Sequence, residues 1–367
     1  MNRTALQNAP IGATNLLEHC LNVRPGQTLL IVGEEGPEAH FDRVLCDQVA
    51  EVAGERGIDV RVVIAPVTNT ASDISSDLAN AIVAADHTVF FARMADQIRF
   101  LGIEGARSMY ACYVLEPDLL DDPFTGVDHR FFQDVHDLLV EQIEQSATFR
   151  IQCPDGTDLS GKTRLSPEEG GLEAFAVKPF PIVIFPPVDA SGMSGQIALA
   201  HQLTSSSTNI YEDSVLMPRS PVMAMVENGQ IVSFEGEPAE AARISAHFER
   251  VGAMTGGDPF AINSWHAGIN PLTHCTFDPQ TDTERWGTAA FGSPRYTHFH
   301  ACGPEPGDIA INLFDTTITF DDAVLWRDGC FVFMDRPEVR ALQKTYPGSD
   351  VAWNMRWEIG VARRNAG

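Results

Sequence analysis

Histidine is the residue type whose distribution along this chain most suggests chemistry. Four of the eleven histidines fall within residues 266–300, namely His266, His274, His298 and His300. Alternate residues of a β-strand share one face, so His298 and His300 could bind a single ion together. Imidazoles with a carboxylate suit Zn, Mn or Fe(II), and two histidines with one acid are typical of ferrous oxygenases. The spacing alone is weakly specific, because a pair of surface histidines would produce the same pattern.

Acidic and polar residues near these histidines extend the candidate site. Glu305, Asp308 and Asp315 follow the histidines and could act as a ligand or a general base. Arg295 and Tyr296 precede His298 and could orient a substrate carboxylate or phenolate; alternatively, they are polar residues that face solvent without binding a substrate.

Other kinds of catalytic site are disfavoured by the sequence. The turn at residues 33–36 lacks both the glycine spacing and the lysine of nucleotide-binding loops, so we predict no nucleotide-binding residues. No GxSxG motif is present, and the seven cysteines are scattered singly, which indicates reduced thiols rather than a disulfide framework.

Composition indicates a globular protein, and we expect it in the cytoplasm because residues 1–13 lack the basic-then-apolar order of a signal peptide. The 367 residues are 44% hydrophobic and 20% charged, which suits two domains that each bury a core. We expect no membrane span, because no apolar run approaches the roughly 20 residues that a span requires. The formal charge of −25 repels polyanions, so nucleic acid is not an expected partner.

The chain is predicted to change architecture near residue 148. Buried strands at residues 28–32, 60–65 and 87–92 alternate with helical segments, which predicts a mostly parallel sheet in an α/β domain over residues 1–148. Residues 149–367 are predicted to form a β-rich α+β domain that carries the metal site. Its clearest hairpin signal is Asn228-Gly229 between two apolar strands, and the proline-rich stretch at 179–187 favours an edge strand.

Several segments together resemble one family of enzymes. They are residues 16–32, Cys153-Pro154-Asp155-Gly156-Thr157-Asp158-Leu159, residues 180–195, the hairpin at 226–236 and Gly268-Ile269-Asn270-Pro271. These are similar to segments of the thermophilic-type (M29) metallo-aminopeptidases and of their relatives, the 2,5-dihydroxypyridine 5,6-dioxygenases. The resemblance implies a metal ligand at His266, further ligands at His298 or His300, and an aspartate ligand at Asp308. It also implies a homo-oligomer.

The sequence departs from the two-metal peptidase pattern at two positions. No acid follows Phe180-Pro181, where the aminopeptidases place a glutamate. The family's His-x-Asp pair ends here at Asp308, and Pro306 takes the position of its histidine. These departures favour the branch with a single metal ion, Fe(II) first and Mn or Zn as alternatives.

The resulting prediction is an Fe(II)-dependent, ring-cleaving dioxygenase. Its substrates would be O₂ and a small hydroxylated aromatic or N-heteroaromatic acid. One alternative is a metal-dependent hydrolase or aminohydrolase, in which the ion activates water. Another is a metal-free binding protein on the same fold, since fold alone does not fix function.

Overall fold

A five-stranded parallel sheet organises the N-terminal part of the chain. The computed structural model describes residues 9–165, 175–206, 210–303 and 308–363. In this sheet the strand order is β2-β1-β3-β4-β7, and every neighbouring pair is parallel. The strands are β1 (Thr28–Glu35), β2 (Asp59–Pro66), β3 (His87–Phe91), β4 (Ser108–Cys112) and β7 (Lys178–Phe180). The α/β prediction is confirmed, and the proline-rich stretch contributes β7 at the edge of the sheet.

Helices lie before and between these strands along the chain. They are α1 (Ile11–Thr14), which continues as a π-helical turn over Asn15–Cys20, then α2 (Val44–Glu55), α3 (Ser76–Ala84), α4 (Met94–Gln97), α5 (Pro123–Gly126) and α6 (His129–Glu144). The side chain of Ser75 caps α3 by accepting a hydrogen bond from the Leu78 N–H. Short 3₁₀ turns lie at Ala71–Asp73 and Pro117–Asp121.

Two antiparallel sheets make up most of the remaining chain. The larger has seven strands in the order β12-β11-β9-β6-β5-β16-β17, and the smaller has five in the order β10-β15-β14-β13-β8. The strands of the larger sheet are β5 (Thr148–Gln152), β6 (Asp158–Lys162), β9 (Ser194–Leu199), β11 (Val222–Glu227), β12 (Gln230–Glu235), β16 (Thr317–Phe320) and β17 (Ala323–Trp326). The strands of the smaller sheet are β8 (Val188–Asp189), β10 (Leu203–Thr204), β13 (Ile262–Ala267), β14 (Tyr296–Ala301) and β15 (Ile309–Phe314). The predicted β-rich, mixed α+β character of this part is confirmed.

The β11–β12 hairpin forms at the predicted Asn-Gly turn. Asn228 and Gly229 both adopt positive φ values, 50° and 75°, which a two-residue hairpin turn requires. The helix that follows, α7 (Pro238–Thr255), begins at a Glu237 cap and ends at Gly256, whose φ is 76°. Two shorter helices are α8 (Thr283–Ala290) and α9 (Pro337–Ala341), and 3₁₀ turns lie at Val332–Asp335, Leu342–Lys344 and Ser349–Trp353.

The two antiparallel sheets pack on each other through aromatic side chains. The Trp265 ring on β13 lies 5.2 Å from the Phe149 ring on β5 and 6.0 Å from the Phe320 ring on β16. Trp265 and Phe149 are at most 2% exposed. One face of the smaller sheet is thus buried against the larger sheet, and His266, His298 and His300 lie on its other face.

The chain forms two compact units that are not continuous in sequence. Within the described residues, the first comprises 9–134, 175–183 and 342–354, and the second comprises the rest. The sequence predicts a single boundary near residue 148. The later segment 175–183 belongs to the first unit because β7 pairs with β4. In the described part of the chain, no helix is both long and apolar enough to cross a bilayer.

Candidate metal centre

Three histidines converge on one face of the smaller antiparallel sheet. His266 on β13 lies directly opposite His298 on β14, and His300 follows two residues later on β14. Directly opposite residues in an antiparallel pair share a face, as do alternate residues along one strand. Strand register and alternation therefore bring these three imidazoles together, although 34 residues separate His266 from His300.

The imidazole rings are close, and all three are buried. The Nε2 atoms of His266 and His300 lie 3.0 Å apart, and these two rings are almost parallel, with 6° between their planes. The His298 ring centroid is 4.0 Å from that of His266 and 4.9 Å from that of His300. One nitrogen from each ring fits within a group whose members all lie within 4.8 Å of one another. The three side chains are 4–7% exposed.

This donor set fits a divalent transition-metal ion. Imidazole nitrogens bind such ions at about 2.1 Å, so two adjacent ligands at right angles would lie about 3.0 Å apart. The Nε2 atoms of His266 and His300 have that separation. Among the described residues, no Asp, Glu or Cys joins this group, so the arrangement is a three-histidine site rather than two histidines and one acid.

Asp308 does not belong to the histidine group. It immediately precedes β15, where its N–H donates to the Cys302 carbonyl at 2.8 Å and its own carbonyl accepts from the Tyr211 hydroxyl at 3.1 Å. His300 lies opposite Ala310 on β15, and Asp308 lies two residues before Ala310, outside the strand. The structure thus brings together three of the four predicted ligands and leaves out Asp308. Glu305 lies outside the described residues.

Arg295 is committed to contacts within the protein. Its guanidinium makes two hydrogen bonds to the Asp315 carboxylate, at 2.6 and 3.0 Å, and donates to the carbonyls of Trp357 and Val361. The residue is 1% exposed. The prediction that Arg295 orients a substrate carboxylate does not match this geometry, because its donors already bind Asp315 and the C-terminal segment.

Tyr296 lies on the histidine face and holds a neighbouring strand. Its hydroxyl donates to Asn312 Oδ1 at 2.6 Å, and its ring centroid is 5.3 Å from that of His298. Burial raises the pKa of the Tyr296 phenol, which keeps the proton on its oxygen. Tyr296 therefore supports β15 beside His298, and its hydroxyl is engaged with Asn312 rather than directed at a substrate.

Aromatic side chains border the imidazoles. The Phe291 ring centroid is 5.4 Å from that of His266 and 5.2 Å from that of His298, and Phe185 lies 6.2 Å from His266. Phe291 follows α8 and packs against an apolar cluster that includes Trp286 and Phe314. The histidines therefore have apolar neighbours, which reduces the access of water.

Residues beyond those predicted also belong to this face. Asn312 lies opposite His298 on β15 and is 1% exposed, and its single polar side chain interrupts the apolar run Ile309–Phe314. That interruption was the available sequence signal for Asn312. Ser264 lies opposite His300 on β13, and no local pattern distinguishes it from other serines. His274, the fourth histidine of the segment, instead has its Nδ1 2.8 Å from Arg356 Nη1.

Comparisons with known proteins identify the fold. The structure of 2,5-dihydroxypyridine dioxygenase from Pseudomonas putida KT2440 is similar, with a TM-score of 0.56 and 16% identity over 92% of this chain and 99% of that chain. Wild-type AmpT from Thermus thermophilus matches with a TM-score of 0.47 and 10% identity over 89% of this chain and 99% of that chain. No protein-family model and no curated protein sequence matches the chain.

The resemblance predicted from the sequence is thus confirmed in the fold. The chain has the architecture of the dihydroxypyridine dioxygenase over nearly its whole length and carries three buried histidines that could hold a metal ion.

Proposed function

We propose that this protein is a mononuclear metal-dependent enzyme whose ion is held by His266, His298 and His300. The observation that carries the proposal is the convergence of three buried imidazoles from two strands within 4.8 Å. Three titratable rings gathered in a packed interior call for an explanation, because burying polar groups is costly unless the burial is compensated. A shared ion would provide that compensation for all three.

We further propose Fe(II) as the ion and an oxygen-dependent ring cleavage as the reaction. The dioxygenase fold supports this choice, because the similar structure acts on a dihydroxypyridine according to its name. When bound, a ferrous ion would supply open coordination positions for a hydroxylated ring and for O₂, with the ring as the electron donor and O₂ as the acceptor. The substrate class is a small hydroxylated aromatic or N-heteroaromatic acid.

The protein's own residues favour an anionic ring. Three neutral imidazoles leave the full double charge of a bound ion uncompensated, and burial strengthens its attraction for a negative group. A deprotonated ring hydroxyl or a carboxylate would complement that charge. Phe291 and Phe185 border the histidines, so they would contact the flat face or edge of a ring and exclude water.

Metal analysis and oxygen uptake test the proposal together. Protein purified without chelator and reconstituted anaerobically with Fe(II) should bind one equivalent of iron and consume O₂ when 2,5-dihydroxypyridine is added. His266→Ala should do neither. His19→Gln, which changes a histidine of the first unit, should behave as wild type.

The other outcomes identify the alternatives. Turnover of a small amide or amine substrate without O₂, supported by Mn²⁺ or Zn²⁺, would replace the dioxygenase with a hydrolase. Absence of bound metal under all these conditions would reject a metal enzyme and favour a binding protein.

A further inference from the structure

Side chains on the histidine face form two rows that cross the smaller sheet. In the first row, Asn312 on β15 lies opposite His298 on β14, which lies opposite His266 on β13. The second row runs from Thr204 on β10 through Ala310 and His300 to Ser264. Neighbouring members of a row have Cβ atoms about 4.5–5.5 Å apart.

Gln202 extends the first row at the edge of the sheet. Its carbonyl accepts a hydrogen bond from Asn312 Nδ2 at 3.0 Å, and Leu203 and Thr204 pair with Ile311 and Ala310. Continuing this register places Gln202 opposite Asn312, on the face that carries His298. Gln202 is therefore two strands away from His298, or roughly 10 Å across the sheet.

The amide of Gln202 is buried without a partner in the described part of the chain. The residue is 2% exposed, and its Nε2 makes no hydrogen bond to any described residue. Burying an amide N–H without a partner is costly, so such groups in folded proteins call for an explanation. Ser264 Oγ, in the second row, is buried and without a partner in the same sense.

A small side chain lies beside the histidines in the second row. Ala310 lies between His300 and Thr204 in the second row and adjoins Asn312 along β15. Any larger residue at position 310 would extend over the sheet between Gln202 and the histidines. With alanine at position 310, only a buried methyl group occupies that interval.

From this arrangement we propose that Gln202 recognises the substrate, and this inference rests on the proposed function. Its Nε2 donates a hydrogen bond to an oxygen on the side of the ring remote from the metal-binding oxygen, with Ala310 beneath the ring. The proposed substrates are therefore single-ring compounds with two oxygens on opposite sides of the ring. One oxygen binds the metal ion, and the other accepts the hydrogen bond from Gln202. Gln202 is a specificity-determining residue in this assignment.

Two probes that differ by one oxygen test the assignment. Anaerobic calorimetric titration of the Fe(II)-loaded protein should show tighter binding of 2,5-dihydroxypyridine than of 3-hydroxypyridine, which lacks the second oxygen. In Gln202→Met, which keeps the size and the backbone contact to Asn312, that preference should fall roughly 3- to 10-fold, as loss of one hydrogen bond predicts. Gln196→Met is the matched control, because the Gln196 amide donates to the Gly156 carbonyl on the larger sheet. It should keep the wild-type preference.

Thermal unfolding of the metal-free variants provides a second readout. Replacing an unpartnered buried amide with an apolar isostere should leave the unfolding midpoint of Gln202→Met unchanged or raise it. A clear drop in the midpoint would mean that the amide supports the fold, and the assignment would be overturned.

The titration also separates this inference from the function on which it rests. If the wild type binds 2,5-dihydroxypyridine more tightly than 3-hydroxypyridine and Gln202→Met shows the same preference, only the role of Gln202 is rejected. If the Fe(II)-loaded wild type binds neither compound, the proposed function and the role of Gln202 are both rejected.

Discussion

Three imidazoles supply the donor atoms at the candidate centre, one from β13 and two from β14. His266 and His298 lie opposite each other, and His300 lies diagonally from His266. In a site with two histidines and one acid, a carboxylate would take the third position. Here an imidazole takes it, so the ligand set is neutral.

Substitution of single histidines should remove the ion. His266→Ala, His298→Ala and His300→Ala should each lower the iron content of reconstituted protein well below one equivalent, because two imidazoles leave a weaker site. His300→Asp should keep more iron than His300→Ala, since it recreates two histidines with one acid. Iron content can be measured by mass spectrometry after gel filtration.

Asp308→Asn distinguishes the observed histidine group from the ligand set predicted from sequence. Because Asp308 lies outside that group, this variant should keep its iron. Loss of iron in Asp308→Asn together with full occupancy in His300→Ala would show that the ion is bound elsewhere.

A buried histidine in the first unit should make stability depend on pH. Burial lowers the pKa of His129 to about 4, from an ordinary value of 6.5. The unfolded chain therefore binds a proton between these values while the folded protein does not, and stability falls as pH falls from 6.5 towards 4. His129 should contribute about 2 kcal/mol to the loss of unfolding free energy between pH 7 and pH 5.

Denaturant unfolding of wild type and His129→Gln at the two pH values measures this contribution. The variant should lose less stability on acidification than the wild type does. Equal losses in the two proteins would show that His129 is not the residue responsible.

At the scale of elements, the β13–β14 pair fixes the centre, and Gly268 fixes the end of that pair. The N–H of Gly268 donates to the Tyr296 carbonyl at 3.0 Å, immediately after β13 ends. A Cβ atom at position 268 would lie 2.2 Å from the Ser293 carbonyl oxygen. Only glycine permits this close approach of two backbone segments beside His266.

Gly268→Ala should therefore weaken both the fold and the site. The clash would separate the segments around β13 and β14, with an expected loss of about 1–3 kcal/mol in the free energy of unfolding and a lower iron content. Urea unfolding and metal analysis of the same sample measure both effects.

Gly287→Ala is the matched control for this substitution. Gly287 lies in α8, where an added Cβ would meet nothing within 4 Å, so alanine should be neutral or stabilising there. A Gly268→Ala protein as stable as Gly287→Ala, with full iron content, would contradict the proposed constraint.

The C-terminal segment is a second element that supports the centre. Arg295, next to β14, binds the carbonyls of Trp357 and Val361, and the Trp286 indole donates to the Ile359 carbonyl at 2.6 Å. These contacts attach residues 357–361 to the apolar cluster that adjoins Phe291. The buried Arg295–Asp315 pair thus has a structural role near the histidines.

At the scale of the whole molecule, the candidate metal centre belongs entirely to the second unit. His266, His298 and His300 all lie in it, and no residue of the described first unit joins the group. A ligand that binds only the folded state stabilises the unit that binds it.

Iron should therefore stabilise the two units unequally. Anaerobic Fe(II) at 100 times its dissociation constant should stabilise the second unit by about 2.7 kcal/mol and leave the first unchanged. Amide hydrogen exchange should slow in β13, β14 and β15 and stay constant in β1, β3 and β4. Equal protection of both sets of strands, or protection of the first set alone, would place the ion outside the histidine group.

The order of strands and helices was largely predictable from the local sequence. Continuous apolar runs such as residues 28–32 predicted buried parallel strands, and Asn228-Gly229 predicted its hairpin, because these patterns act over a few neighbouring residues. The return of residues 178–180 to the first sheet was not predictable in the same way, because that pairing joins segments distant in sequence.

For the candidate centre, the sequence determined the kind of donor atom by supplying His266 and the His298-x-His300 pair. Only the tertiary structure decided which residues meet there. Cross-strand register places His266 against His298, draws Asn312 and Gln202 onto the same face, and leaves Asp308 beyond it. Register depends on hydrogen bonds between strands far apart in the chain, so spacing along the sequence cannot specify it.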